Sequence, residues 1–145
     1  GVTLAADRIG LLHEALCAAC AGIALEPDAL VLEGSVAVEG ATAELARAVR
    51  RLGPFGAGNP EPVFALGGRL GYIGAVGARG AHLRLALEGE SGARLGAIAF
   101  RAAGAELGEG LNAALGRPVV LAGVLREDHF RGEAASLQVL DAAAA

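Results

Sequence analysis

Residues 54–64 read PFGAGNPEPVF, and this stretch separates two textures of chain. Five of its eleven residues are Gly or Pro. Proline fixes φ and removes a backbone donor, while glycine opens φ > 0, so neither a helix nor a central strand runs through it. Asn59 precedes Pro60 and Glu61 precedes Pro62, which pushes both toward extended geometry. Phe55 and Phe64 supply apolar anchors that a disordered linker has no use for. The residues describe a stiff, shaped loop; a rigid interdomain turn fits the same composition.

Upstream of this loop the pattern is helix, strand, helix. Ile9, Leu12, Leu16, Ala19 and Cys20 recur at helical spacing over residues 7–21, with Asp7 as N-cap and Gly22 as stop. Residues 30–38 (LVLEGSVAV) read as a strand. A second helix over 41–52 starts at Thr42 and carries Leu45, Val49 and Leu52 on one stripe. This first third is too small to bury such elements alone and reads as the tail of a larger α/β domain. Downstream the chain changes to short strands at 63–76, 81–88 and 93–101, a helix at 103–114, and strands at 118–126 and 134–141. In His82-Leu83-Arg84-Leu85-Ala86-Leu87 the leucines face one way and His82, Arg84 and Ala86 the other. Three strands, a helix and two strands is the order of a small, OB-type barrel. The pattern alone indicates an α+β chain, a partial α/β segment followed by a small β-barrel, which the family resemblance below sharpens to a five-stranded OB-fold β-barrel.

The chain has 145 residues, 54% hydrophobic but only 3% aromatic, so its core is built from Ala, Leu, Val and Ile. No apolar run reaches the ~18–20 residues of a membrane span, and the start lacks a signal-peptide layout. The chain lacks Met even at position 1, so it reads as a piece of a longer protein. All 12 basic residues are Arg, and the net charge is −4, which argues against nucleic-acid binding through global charge. Residues 1–52 carry 4 Arg and 7 acids, net −3, and residues 53–145 carry 8 Arg and 9 acids, net −1. Any nucleic-acid site is therefore a local patch.

Chemistry-bearing constellations are scarce. Cys17 and Cys20 form one CxxC without a second pair, which is half of a zinc set. Their spacing on a helix suits small apolar core groups, with reduced thiols the default in the cytoplasm. The three His residues, His13, His82 and His129, are far apart in sequence, and no metal site is expected. No Ser/His/Asp or Cys/His arrangement stands out, so no catalytic residue is expected either. OB folds hold single strands with cations along the backbone and aromatic rings under the bases. Candidates of those types are Arg69, Tyr72, Arg79, His82, Arg84, Arg94, Arg101, Arg126, His129, Phe130 and Arg131. His82 and Arg84 share a strand face beside the Gly77-Ala78-Arg79-Gly80 turn. Residues 126–132 fall in a loop between the last two strands, where Glu127 and Asp128 oppose phosphate. Phe130 suits base stacking or a plug at the barrel's end. Asn59 has an amide to offer a ligand from the Pro/Gly loop.

The string PFGAGNPEPVF resembles the signature of the RecJ family of single-strand-specific DNA exonucleases, near the junction of its DHH-associated and OB domains. HLRLAL (82–87), AIAF (97–100) and VLREDHFRGEAASLQV (124–139) are similar to successive pieces of that family's OB domain, in order. Phe130-Arg131-Gly132 matches its aromatic–polar–Gly pattern in the last loop. The resemblance implies the C-terminal end of the DHH-associated domain over 1–52, a signature linker over 53–62 and an OB nucleic-acid-binding domain over 63–145. It implies the single-stranded-DNA-binding portion of a cytoplasmic 5′–3′ exonuclease in DNA repair and recombination. Asn59, Arg79, His82, Arg84, Arg126, Phe130 and Arg131 are then the expected DNA-contacting set. The family's clustered Asp and His hold Mg or Mn in a catalytic domain that this chain lacks, as it lacks the Gly-Gly-His motif that precedes a stretch like Gly1-Val2-Thr3-Leu4. Hydrolysis by this chain alone is not expected. The other reading of the same residues is a protein-interaction or structural OB module that docks repair or replication proteins, which the net charge of −4 and low aromatic content favour.

Overall fold

The computed structural model describes residues 2–23, 29–128 and 134–145. The chain divides into two compact units, Gly1–Leu30 and Val31–Ala145. In the first, helix α1 spans Ile9–Cys20 after a 3-10 turn at Ala6–Arg8. Asp7 lies inside that turn and does not cap; Ala5 and Arg8 hold the two N-cap positions, neither with a side-chain bond. None of the residues of α1 is buried, and Cys17 and Cys20 are exposed, which corrects their expected place in a core.

The second unit is built around a closed barrel. Its strands are β1 (Gly34–Ser35), β2 (Phe64–Val76), β3 (His82–Glu88), β4 (Arg94–Ala99), β5 (Pro118–Asp128) and β6 (Ala134–Ala144), with helices α2 (Ala43–Arg50) and α3 (Glu106–Ala113). The sheet order is β1-β2-β3-β4-β6-β5, and a further β2–β5 pairing closes the last five strands into a mixed barrel. All neighbours in that ring are antiparallel except β4 and β6. One long strand serves two partners: β2 pairs β5 from Phe64 to Arg69 and β3 from Arg69 to Val76. Glycines let it turn between them. A Cβ on Gly68 would lie 2.6 Å from the Glu88 carbonyl oxygen.

Period-2 alternation packs the interior. Leu83, Leu85 and Leu87 of β3 point inward beside Leu66, Leu70, Leu95, Leu121 and Leu137, and no polar side chain is buried among the described residues. Helix α3 closes one end with Gly108 and Leu111 buried. Thr42 caps α2 as its sequence indicated, accepting the Leu45 N–H at 3.2 Å. The buried face of α2 is Ala43, Ala46 and Val49, whereas Leu52 is 62% exposed; small side chains let the helix lie close on β5. The strand expected over 30–38 is only the two-residue β1, followed by a 3-10 turn at Val38–Gly40.

Candidate nucleic-acid interface

Strand register stacks the outward side chains of β2, β3 and β4 into rows. Arg69, Glu88 and Arg94 form one row; Tyr72, Ala86 and Gly96 the next; Gly74, Arg84 and Ile98 the third. A bulge between Leu70 and Tyr72 inserts Gly71 and resets the alternation of β2, which puts Tyr72 on the outer face. Tyr72 is 51% exposed. Its ring lies along the sheet over Gly74, where a Cβ would fall 2.9 Å from Cζ and nearer still to the hydroxyl. Glycine at 74 is thus the floor under an exposed aromatic ring.

Beside that ring, Tyr72, Arg84, Ala86, Arg94 and Gly96 line a groove of about 410 Å³. Val76, Arg84, Gly96, Ile98, Asp128 and Ser136 line a second of about 340 Å³. The two share Arg84 and Gly96, so they lie side by side across β3 and β4. Locally the face carries Arg69, Arg84 and Arg94 against Glu88 and Asp128, a net of +1 in a chain of net charge −4. Glu88 accepts from Arg69 Nη2 at 2.6 Å and from Arg94 Nη2 at 2.6 Å. The Arg69 hydrogen bond foremost, with Arg94 adding to it, holds the Glu88 carboxyl below its ordinary value despite some desolvation. An open cleft between α3 and β6 of about 570 Å³ offers a different chemistry: it is walled by alanines and carries Glu106 and Asp141, which repel phosphate.

Three of the expected contact residues have structural work. Asn59 donates its amide to the carbonyls of Leu52 at 3.1 Å and Pro54 at 3.0 Å, so both amide hydrogens shape the Pro/Gly loop. Arg126 pairs with both carboxylate oxygens of Glu61, 2.7 Å at Nη2, which fastens that loop to β5. His82 accepts the Arg101 N–H through Nδ1 at 2.9 Å and meets Phe100 edge-on at 5.2 Å. In its neutral form the imidazole proton therefore sits on Nε2. Arg79 stands at the tip of the β2–β3 turn with φ 66°. Arg84 lies at the centre of the grooved face, exposed. Phe130 and Arg131 lie outside the described residues. Glu127 is in β5 rather than a turn and pairs with Arg47 at 3.0 Å and Arg50 at 3.3 Å of α2.

Tyr72 and Arg94 thus join Arg84 at the grooved face. The signal for Tyr72 was its residue type alone, since the bulge hides which way it points. Among the described residues no group of three or more His, Cys, Asp or Glu could hold a metal ion, so a two-metal hydrolytic site does not fit them. No described helix is long and apolar enough to cross a membrane.

The family model of the RecJ OB domain matches residues 32–141. Among solved structures, RecJ from Thermus thermophilus in complex with Mn2+ is similar at a TM-score of 0.64 and 25% identity, over 100% of this chain and 20% of that one. The Mg2+ complex of RecJ from the same organism is similar at a TM-score of 0.58 and 24% identity, over 97% of this chain and 21% of that one. Yeast Stn1 and Ten1 share the fold at a TM-score of 0.53 and 11% identity, over 81% of this chain and 64% of that one. No curated protein matches the chain. The chain spans about a fifth of the RecJ chains it matches. With the match covering most of its length and the barrel that match requires, the chain belongs to the RecJ OB-domain family.

Proposed function

We propose that this chain is the single-stranded-DNA-binding portion of a RecJ-like 5′–3′ exonuclease acting in DNA repair and recombination in the cytoplasm. The observation that carries the reading is the pair of adjoining grooves over β2–β4, with the Tyr72 ring on a glycine floor and Arg84 and Arg94 beside it. An unpaired base stacks on Tyr72, and flanking phosphates meet the two guanidiniums. Hydrolysis belongs to a metal-bearing domain elsewhere in the protein. On this reading residues 1–52 are the end of the DHH-associated domain, 53–62 the linker and 63–145 the OB domain, with α2 and the Glu61–Arg126 pair bracing the barrel.

The test is binding of a labelled oligothymidylate across a salt series. Three to five neutralised phosphates correspond to a slope of log K on log salt of roughly −2 to −3.5, at ~0.7 per phosphate for single strands. Arg84→Ala flattens the slope by about 0.7. Tyr72→Ala weakens binding by about 5- to 150-fold, from ~1–3 kcal/mol of stacking, with the slope unchanged. No binding at low salt would replace this reading with a protein-docking OB module, for which the acidic α3–β6 cleft is the place to look.

A further inference from the structure

Arg69, Glu88 and Arg94 lie directly opposite one another on three adjacent strands, one row from Tyr72. Two residues of strand separate the rows, about 6.8 Å. The carboxylate is seated with care. The β2 bulge leaves Gly71 beneath it, where a Cβ would lie 2.5 Å from Glu88 Cδ and 2.6 Å from Oε1. Each carboxylate oxygen takes one guanidinium nitrogen, Nη2 of Arg69 on Oε2 and Nη2 of Arg94 on Oε1. The arginines themselves remain open to solvent, 60% and 74% exposed, against 15% for Glu88. Beyond the row lies an open groove of about 680 Å³ whose wall includes Gly67, Gly68, Gly89 and Gly92, with the acid Glu90 at its side. No side chain at those four positions obstructs an approaching chain.

A single anion held between two guanidiniums is the arrangement that recognises a phosphate. We propose that the Arg69–Glu88–Arg94 row is a phosphate seat which the free protein fills with its own carboxylate, so that a DNA strand stacked on Tyr72 must displace Glu88 to use both arginines. The inference rests on the DNA-binding reading above and adds a competitor built into the site. It sets Glu88 as a brake on affinity, not a prop for the arginines. A prop would leave the seat weaker when its charge is removed; a competitor leaves it stronger.

Glu88→Gln separates the two because it keeps the side chain's size and removes its charge. Measured with a short oligothymidylate on the whole 145-residue chain, with melting curves confirming the fold, the variant binds about three- to tenfold tighter at low salt. Its salt slope steepens by about 0.7, one phosphate's worth beyond the one that Arg94 already meets, and the two proteins converge at high salt. Arg69→Ala in the Glu88→Gln background takes back about 0.7 of that slope. If the wild type binds and Tyr72→Ala weakens it, but Glu88→Gln binds equally or more weakly, the internal competitor is wrong and the DNA-binding reading stands. If neither wild type nor Glu88→Gln binds at low salt, both are wrong.

Discussion

Gly74→Ala asks whether the Tyr72 ring works because it lies flat on the sheet. In the native strand nothing stands between the ring and the backbone of residue 74. A methyl group there would come 2.9 Å from Tyr72 Cζ and 3.4 Å from Cε1, and would overlap the hydroxyl. Carbon atoms prefer separations of about 3.5–4.0 Å, so the ring must swing away from the sheet. Half of the residue is already in water, and a side-chain end can move where backbone cannot. The lost contact is offset by the ~0.5–1 kcal/mol that Ala gains over Gly inside a strand. Stability by denaturant titration therefore changes by less than about 1 kcal/mol. Binding behaves differently. A ring pushed off its floor no longer presents the same face, so oligothymidylate affinity falls toward the Tyr72→Ala level, about 5- to 150-fold. The salt slope stays fixed, because stacking releases no counterion. Anisotropy titrations at several salt concentrations read all of this. A folded Gly74→Ala protein with full affinity would refute the idea that the glycine floor orients the ring.

Two further predictions concern the barrel's supports. Gly108→Ala drives a methyl group onto the Ala102 carbonyl, 2.8 Å from its carbon, and that atom is backbone. Helix α3 must lift and uncover Leu111, for a loss of about 2–4 kcal/mol by denaturant titration; a loss under ~0.5 would show that α3 is not seated this way. Glu39 accepts from the Ser91 hydroxyl at 2.6 Å and the Ser91 N–H at 3.1 Å, tying the Val38–Gly40 turn to the β3–β4 hairpin. The Ser91 hydroxyl, then backbone hydrogen bonds, holds its carboxyl below the ordinary 4.5. A folded value below the unfolded one means stability that is present above 4.5 and lost as pH falls through the folded value. Wild type should accordingly exceed Glu39→Gln in melting temperature at neutral pH and lose that margin in acid; a margin that grows in acid contradicts the assignment.

The sequence carries the barrel's order because each strand's burial is local information. His82 to Leu87 alternates in the chain as it does in the fold, and Thr42 announces α2 by its own hydroxyl. What escapes sequence reading depends on distant partners. The apolar run at 30–38 resembles a strand, but β3 takes the same edge of β2 from Arg69 onward. That leaves the run only short pairing with Phe64 and Ala65, plus Glu33 N–H to Val63 and Val36 N–H to Ala65 bonds of 2.9 Å. Arg126 looks like a phosphate contact until Glu61, 65 residues away, arrives beside it. Asn59 looks like a ligand donor until the loop folds onto its amide. Arg84 was readable because its neighbours in the chain alternate; Tyr72 was not, because a bulge breaks parity just before it.

DNA held on the outer face of β2, β3 and β4 leaves a mark on that face alone. Mapping backbone amide chemical shifts while titrating the 145-residue chain with oligothymidylate tests it most directly. Changes should concentrate at Tyr72, Arg84, Ala86, Arg94 and Gly96 and saturate together at one affinity. Changes confined to the α3–β6 cleft around Glu106 and Asp141, or no changes at low salt, would contradict it.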